Sequence, residues 1–213
     1  MPIVLAPEPH HYVSNPIQPE PLMKTATRKS ALLVIDVQES FRRRPYWQAD
    51  DLPAFLANTQ ALINRSRAEG IPVLQVFHQE PGPDSHNPFH PQSGLIRAMP
   101  ELDLQADAVF YKEVHSALYG KTTDGVTLEK WLRSHGVEEI LVTGIRTEQC
   151  CETTTRHASD IGFNVQFVGD ATLTFPMQSR NGRRFSAAEI RERTELVLDG
   201  RFARIVSTAE ALA

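Results

Sequence analysis

The chain is predicted to fold as one α/β domain of three layers, doubly wound, with helices on both faces of a mainly parallel six-stranded sheet. Three observations predict it. Short apolar runs alternate with longer stretches of helical periodicity along most of the chain. Four helical stretches each close on a glycine and give way to another apolar run, which is the sequence form of repeated βα units. The 213 residues have ordinary apolar and charged content, enough for one sizeable core without disulfide staples.

Taken in order, residues 1–29 carry prolines at positions 2, 7, 9, 16, 19 and 21 and hold no steady period. They read as an extended proline-rich N-terminal arm, with the domain itself over 30–213. Ala31-Leu32-Leu33-Val34-Ile35 is a central strand ending at Asp36. A helix from about Pro53 sets Leu52, Phe55, Leu56, Leu62 and Ile63 on one face and stops at Gly70. Ile71 to Phe77 form the second strand, with Pro72 near its start, where proline is tolerated. The segment 81–94, rich in proline and histidine, is too long for a simple connector and is expected to wall a pocket. Ala108 to Tyr111 form a third strand leading into Lys112.

Leu128, Trp131 and Leu132 mark the next helix, closed by Gly136. Ile140 to Thr143 are a buried strand that Gly144 breaks, and Thr147 is suited to cap a helix starting at Glu148 and ending at Gly162. Phe163 to Val168 form a fifth strand reaching Asp170. Ser186 and Glu189 have capping-box spacing for a last helix through Ile190, Thr194 and Val197, stopped by Gly200. Phe202 to Val206 close the sheet.

In such folds ligands bind beyond the carboxyl ends of the strands. Connectivity alone brings Asp36, His78, Lys112, Cys150 and Asp170 to that edge. Singly, each has a structural reading: an aspartate caps a turn, a lysine is solvated, two adjacent cysteines pack as inert core. Together, a carboxylate, an ammonium and a thiol are the parts of nucleophilic catalysis. Cys150 falls in the first turn of the expected helix, where unpaired N–H groups create a positive field that favours thiolate.

Three segments carry a resemblance. LLVIDVQESF at 32–41, the Lys with a following Ser-Ala at 112–117, and GIRTEQCCETTTRHASDIGFNVQFVGDA at 144–171 are similar to the isochorismatase-like cysteine hydrolases, across 31–206. The resemblance implies a catalytic triad of Asp36, Lys112 and Cys150, and the Gly-x-x-Thr-x-x-Cys pattern selects Cys150 over Cys151. It implies a cis peptide between Ile145 and Arg146. The implied reaction is cleavage of a C–N bond in a small amide or carbamoyl compound through a thioester on Cys150. Asp36 would be the general base, Lys112 would assist, and the backbone N–H groups of Arg146 and Cys150 would form the oxyanion hole. No cofactor is called for, and a homo-oligomer, a dimer or higher, is usual.

Relatives of the nicotinamidase type carry a metal on an Asp-x-His and a further His after the second strand. Here His78, Asp84, His86 and His90 are the right residue types but the Asp-x-His is missing, so no metal is expected. A zinc-dependent nicotinamidase-type amidase stays open as an alternative. So do a thiol redox sensor using Cys150 and Cys151 and a non-catalytic small-molecule-binding relative. Arg146 would meet a substrate carboxylate or make a salt bridge within or between subunits. His78, His115, Tyr119, Trp47 and Phe89 are the other candidate substrate contacts.

The net charge of −4, spread along the chain, argues against nucleic acid and anionic membrane as partners. No apolar run approaches the roughly 18 residues of a spanning helix. The N-terminal stretch lacks the basic start and apolar core of a signal peptide, and two adjacent cysteines make no disulfide framework. A cytoplasmic setting is therefore expected.

Overall fold

The first strand, β1 (Ser30–Ile35), has five consecutive buried residues after Ser30, as a strand covered on both faces requires. Residues 29–211 are described by a computed structural model. Apart from Lys29, the arm expected over 1–29 lies outside the described residues.

After β1 come a short 3₁₀ turn (Glu39–Arg43), α1 (Leu52–Ala68), β2 (Val73–His78), β3 (Ala108–Lys112), α2 (Leu128–Ser134) and β4 (Glu139–Ile145). Then follow α3 (Glu152–Asp160), β5 (Asn164–Leu173), the hairpin β6 (Met177–Gln178) and β7 (Arg184–Phe185), α4 (Ala187–Leu198), β8 (Arg204–Val206) and α5 (Thr208–Ala211). The six long-range strands run in the order β3-β2-β1-β4-β5-β8, with every neighbouring pair parallel. Order reverses beside β1, the topological switch point at which such sheets open a crevice.

Side chains alternate across the sheet and divide the core in two. Leu33, Ile35, Val76, Phe110 and Val142 pack with Leu128 and Leu132 of α2, Ala158 of α3 and Leu198 of α4. Leu32, Val34, Val73 and Leu141 pack with Phe55, Leu62 and Ile63 of α1, and with Ala211 of α5. The expected three-layer architecture is therefore present. The capping box of α4 is also formed, with Ser186 and Glu189 each bonding the other's backbone N–H.

Four local expectations need correction. Proline at 72 delays β2 to Val73. Gly144 does not break its strand: β4 continues through it to Ile145 at a φ of +137°, and a Cβ there would sit on the Ile35 carbonyl. Thr147 does not cap the next helix. Its hydroxyl bonds Thr172 Oγ1, and Thr147–Cys151 form a π-helical turn that leads into α3. The fifth strand does not end near Asp170: a register shift between Val142 and Gly144 accompanies its continuation to Leu173. The hairpin and the four-residue α5 were not expected from sequence.

Candidate active site

The chain leaves β1 at Asp36 with a φ of +56°, a left-handed conformation that aspartate tolerates better than bulky residues. On the neighbouring strands, His78 and Lys112 are paired in register at the ends of β2 and β3. The turn after β4 delivers Cys150 to the same edge. Lys112 Nζ lies 2.8 Å from Asp36 Oδ2 and 3.3 Å from Cys150 Sγ. Its third neighbour is His78 Nδ1 at 3.5 Å. An ammonium has three protons, and three acceptors surround this one. The side chains of Asp36 and Lys112 are wholly shielded from solvent.

Charge inside so dry a site is set by its neighbours. Burial disfavours the Lys112 ammonium, but the Asp36 carboxylate, and then Cys150, outweigh it and raise the lysine's pKa. Burial and the Asp36 charge push the Cys150 thiol upward, against the pull of Lys112. Desolvation and the neighbouring carboxylate thus oppose the positive helix field at Cys150. Cys151 is raised well above its usual value by complete burial and packs in the core with Ala158 and Phe167.

Cys150 forms part of the floor of a cleft of about 520 Å³ that is also lined by His78, Phe89, His115 and Arg146. Those residues were anticipated as wall candidates. Tyr119 is not there; it is 61 % exposed, packs at a tilt against His157, and borders a separate cleft with Tyr111 and Val114. Trp47 is not there either: it packs on Phe175 with ring centroids 5.2 Å apart. Sequence reasoning missed Phe41, Arg44, Tyr46, Glu80, Glu113 and Gln149, all of which line the cleft. Of these, Phe41, Glu113 and Gln149 lie within the three segments that carry the resemblance, while Arg44, Tyr46 and Glu80 lie outside them.

Arg146 makes a salt bridge within the chain. Its guanidinium lies 2.7 Å from Glu148 Oε1 and between the rings of Tyr46 and Phe175, at 4.7 and 5.8 Å. Thr174 Oγ1 donates to the other carboxylate oxygen of Glu148. The Ile145–Arg146 peptide is cis, as the resemblance implied. The Arg146 backbone N–H has no hydrogen-bond acceptor among the described residues. Asp170, expected at this edge, instead accepts from the N–H and hydroxyl of Thr208, the first residue of α5.

The histidine-rich segment does not assemble a metal centre among the described residues. His86 is exposed beside Asp84, and His90 accepts from the Gln92 N–H to cap a short turn. His78 turns one ring nitrogen to the Lys112 ammonium and the other to Glu80. A donor set with an ammonium against one nitrogen does not fit a zinc ion.

The model of the isochorismatase domain family matches residues 30–209. The nicotinamidase/pyrazinamidase of Mycobacterium tuberculosis is 32 % identical over 158 residues, covering 67 % of this chain and 85 % of its own. The ureidoacrylate amidohydrolase of Pseudomonas syringae is 28 % identical over 190 residues, covering 72 % of each chain. Among solved structures, an isochorismatase-family protein from Chromobacterium violaceum superposes with a TM-score of 0.77 at 30 % identity, covering 92 % of this chain and 97 % of that one. No helix among the described residues is long and apolar enough to cross a membrane.

Proposed function

The chain belongs to the isochorismatase family of hydrolases, and from that premise we propose that it cleaves the C–N bond of a small amide or carbamoyl compound with Cys150 as nucleophile. The observation that carries the reading is the shared position of Lys112 Nζ, 2.8 Å from a buried carboxylate and 3.3 Å from the sulfur on the cleft floor. The amide specificity named for the nicotinamidase and ureidoacrylate relatives supports the same bond class.

The resting site holds one cation, one anion and one neutral thiol. Moving the thiol proton to Asp36 exchanges which group is anionic and leaves the net charge of the site unchanged. That is the cheap route to a nucleophile in a dry site, because no new net charge is buried. Lys112 touches both anionic positions and stays protonated throughout. The thiolate attacks the carbonyl carbon. The Arg146 N–H, which lacks an internal acceptor, is available to the developing oxyanion together with the Cys150 N–H. Asp36 then gives its proton to the leaving ammonia or amine, and water releases the acid from the thioester.

The walls suit a small, partly polar molecule: Phe41, Tyr46 and Phe89 contribute aromatic side chains to the lining, while Arg44 and Glu80 are already paired with each other at 2.9 Å. Assembly into two or more copies and a cytoplasmic setting belong to the same proposal, and light scattering of the purified chain reports the first.

The test is ammonia release from a panel of small primary amides and carbamoyl compounds. Cys150→Ala abolishes release from any active compound, by ~10⁴-fold or more, while Cys151→Ala retains it. Equal activity in wild type and Cys150→Ala sinks the reading.

A further inference from the structure

We propose that His78 is a positioning residue for Lys112: as a neutral imidazole it accepts a hydrogen bond from one N–H of the ammonium, so that the other two face Asp36 and Cys150. This rests on the thiol hydrolase reading and goes beyond it, since neither the triad nor the cleft walls require a histidine there.

Two structural observations carry it. First, the ring is connected on both sides. Nδ1 is 3.5 Å from Lys112 Nζ, and Nε2 is 3.4 Å from Glu80 Oε1. Glu80 is itself fixed by Arg44 at 2.9 Å and by Asn87 at 2.6 Å. A carboxylate can only accept from Nε2, so it keeps the proton on that nitrogen and leaves the Nδ1 lone pair for the lysine. Second, the backbone beneath the ring is clamped. The buried amide of Gln38 accepts from the His78 N–H at 2.8 Å and donates to the His78 carbonyl at 2.9 Å. Gln38 stands two residues after Asp36, so one short segment fixes both the carboxylate and the histidine that flank Lys112.

The groups facing the ring give the arrangement a pH dependence. Lys112 comes from β3, Asp36 from the end of β1 and Glu80 from beyond β2. Arg44 lies behind Glu80, and Glu113 and His115 border the same cleft. Burial and the Lys112 charge lower the basicity of the imidazole, and Asp36, followed by Glu80, acts in the opposite direction. Protonation would place Nδ1–H against the ammonium and force the two cations apart. Lys112 would then lose its fixed contact with the sulfur.

The experiment uses iodoacetamide on the full chain, with mass spectrometry locating carboxamidomethyl groups and reporting rate against pH. In this reaction the Cys150 thiolate displaces iodide, and the thiol proton passes to Asp36 or buffer. His78→Leu leaves a buried ammonium proton without an acceptor, and the rate at Cys150 falls by roughly tenfold or more at neutral pH. His78→Asn, whose amide oxygen still accepts, restores most of that rate and lacks the drop seen in wild type as the imidazole protonates. Glu80→Gln keeps an acceptor for Nε2 but removes the charge, so the drop moves to lower pH. A purely structural role would lower rates at all pH values and leave the profile's shape unchanged. A wild-type rate and profile in folded His78→Leu overturn the inference alone, as does a profile in Glu80→Gln that does not move. No labelling of wild-type Cys150 overturns the thiol reading itself, and this inference with it.

Discussion

Asp36 and Asp170 invite comparison because both follow apolar strand residues of the same parallel sheet. At Asp36 the strand stops, the backbone turns left-handed, and the carboxylate is buried on Lys112. At Asp170 the strand continues for three more residues, and the carboxylate is spent on the N-terminus of α5. The neighbouring cysteines make the same point one residue apart. Cys150 meets an ammonium at the floor of a cleft, while Cys151 is buried among apolar side chains. Residue type supplies the chemical capacity; where the element ends decides whether it reaches the site.

The largest effect that would sharpen this contrast is Lys112→Met. It leaves the Asp36 carboxylate buried without its partner, a loss of ~3–5 kcal/mol in comparable pairs. Urea unfolding should show that loss together with the disappearance of amide hydrolysis. Next is Asp36→Asn, which keeps the shape and removes the base, with hydrolysis falling by ~10²–10⁴ while the chain stays folded. Asp170→Ala should do the reverse, keeping activity within about twofold and losing the two hydrogen bonds to Thr208, worth ~1–3 kcal/mol. Thermal melting and initial rates on both variants suffice, and a dead Asp170→Ala beside an active Asp36→Asn breaks the comparison outright.

Smallest is a pH effect on stability. His78 has a folded pKa below its usual value because burial and Lys112 disfavour the charged ring. The unfolded chain therefore takes up a proton first as pH falls through about 6.5, and stability declines from there down to the folded pKa. The slope from this one group cannot exceed ~1.4 kcal/mol per pH unit. His78→Asn should flatten it in melts recorded between pH 7 and 5, and an unaltered slope would remove His78 as its source.

Much of the architecture was legible because the strands that cross the core are continuous apolar runs, and glycines such as Gly70 and Gly136 end helices at positive φ. The positions of Asp36, Lys112 and Cys150 followed from those strand ends, since parallel connectivity stacks them on one edge. What was not legible depended on local backbone choices. Thr147 had the composition of a cap, but a buried hydroxyl partner on β5 claimed it. Asp170 looked terminal because the apolar run ends at Val168, yet the strand continues to Leu173. The wall residues on the turn after β1, Arg44 and Tyr46, gave no periodic signal at all, and Tyr119 was lost to a neighbouring cleft by the path of its loop.

The shielding of Lys112 also has a consequence for covalent ligands. A molecule entering the cleft meets sulfur, while the amine behind it has no exposed surface. Amine-directed reagents such as activated esters should therefore leave Lys112 unlabelled in the native fold. Small uncharged nitriles or haloacetamides, by contrast, have one reactive atom within reach, which makes this site a natural target for selective thiol probes.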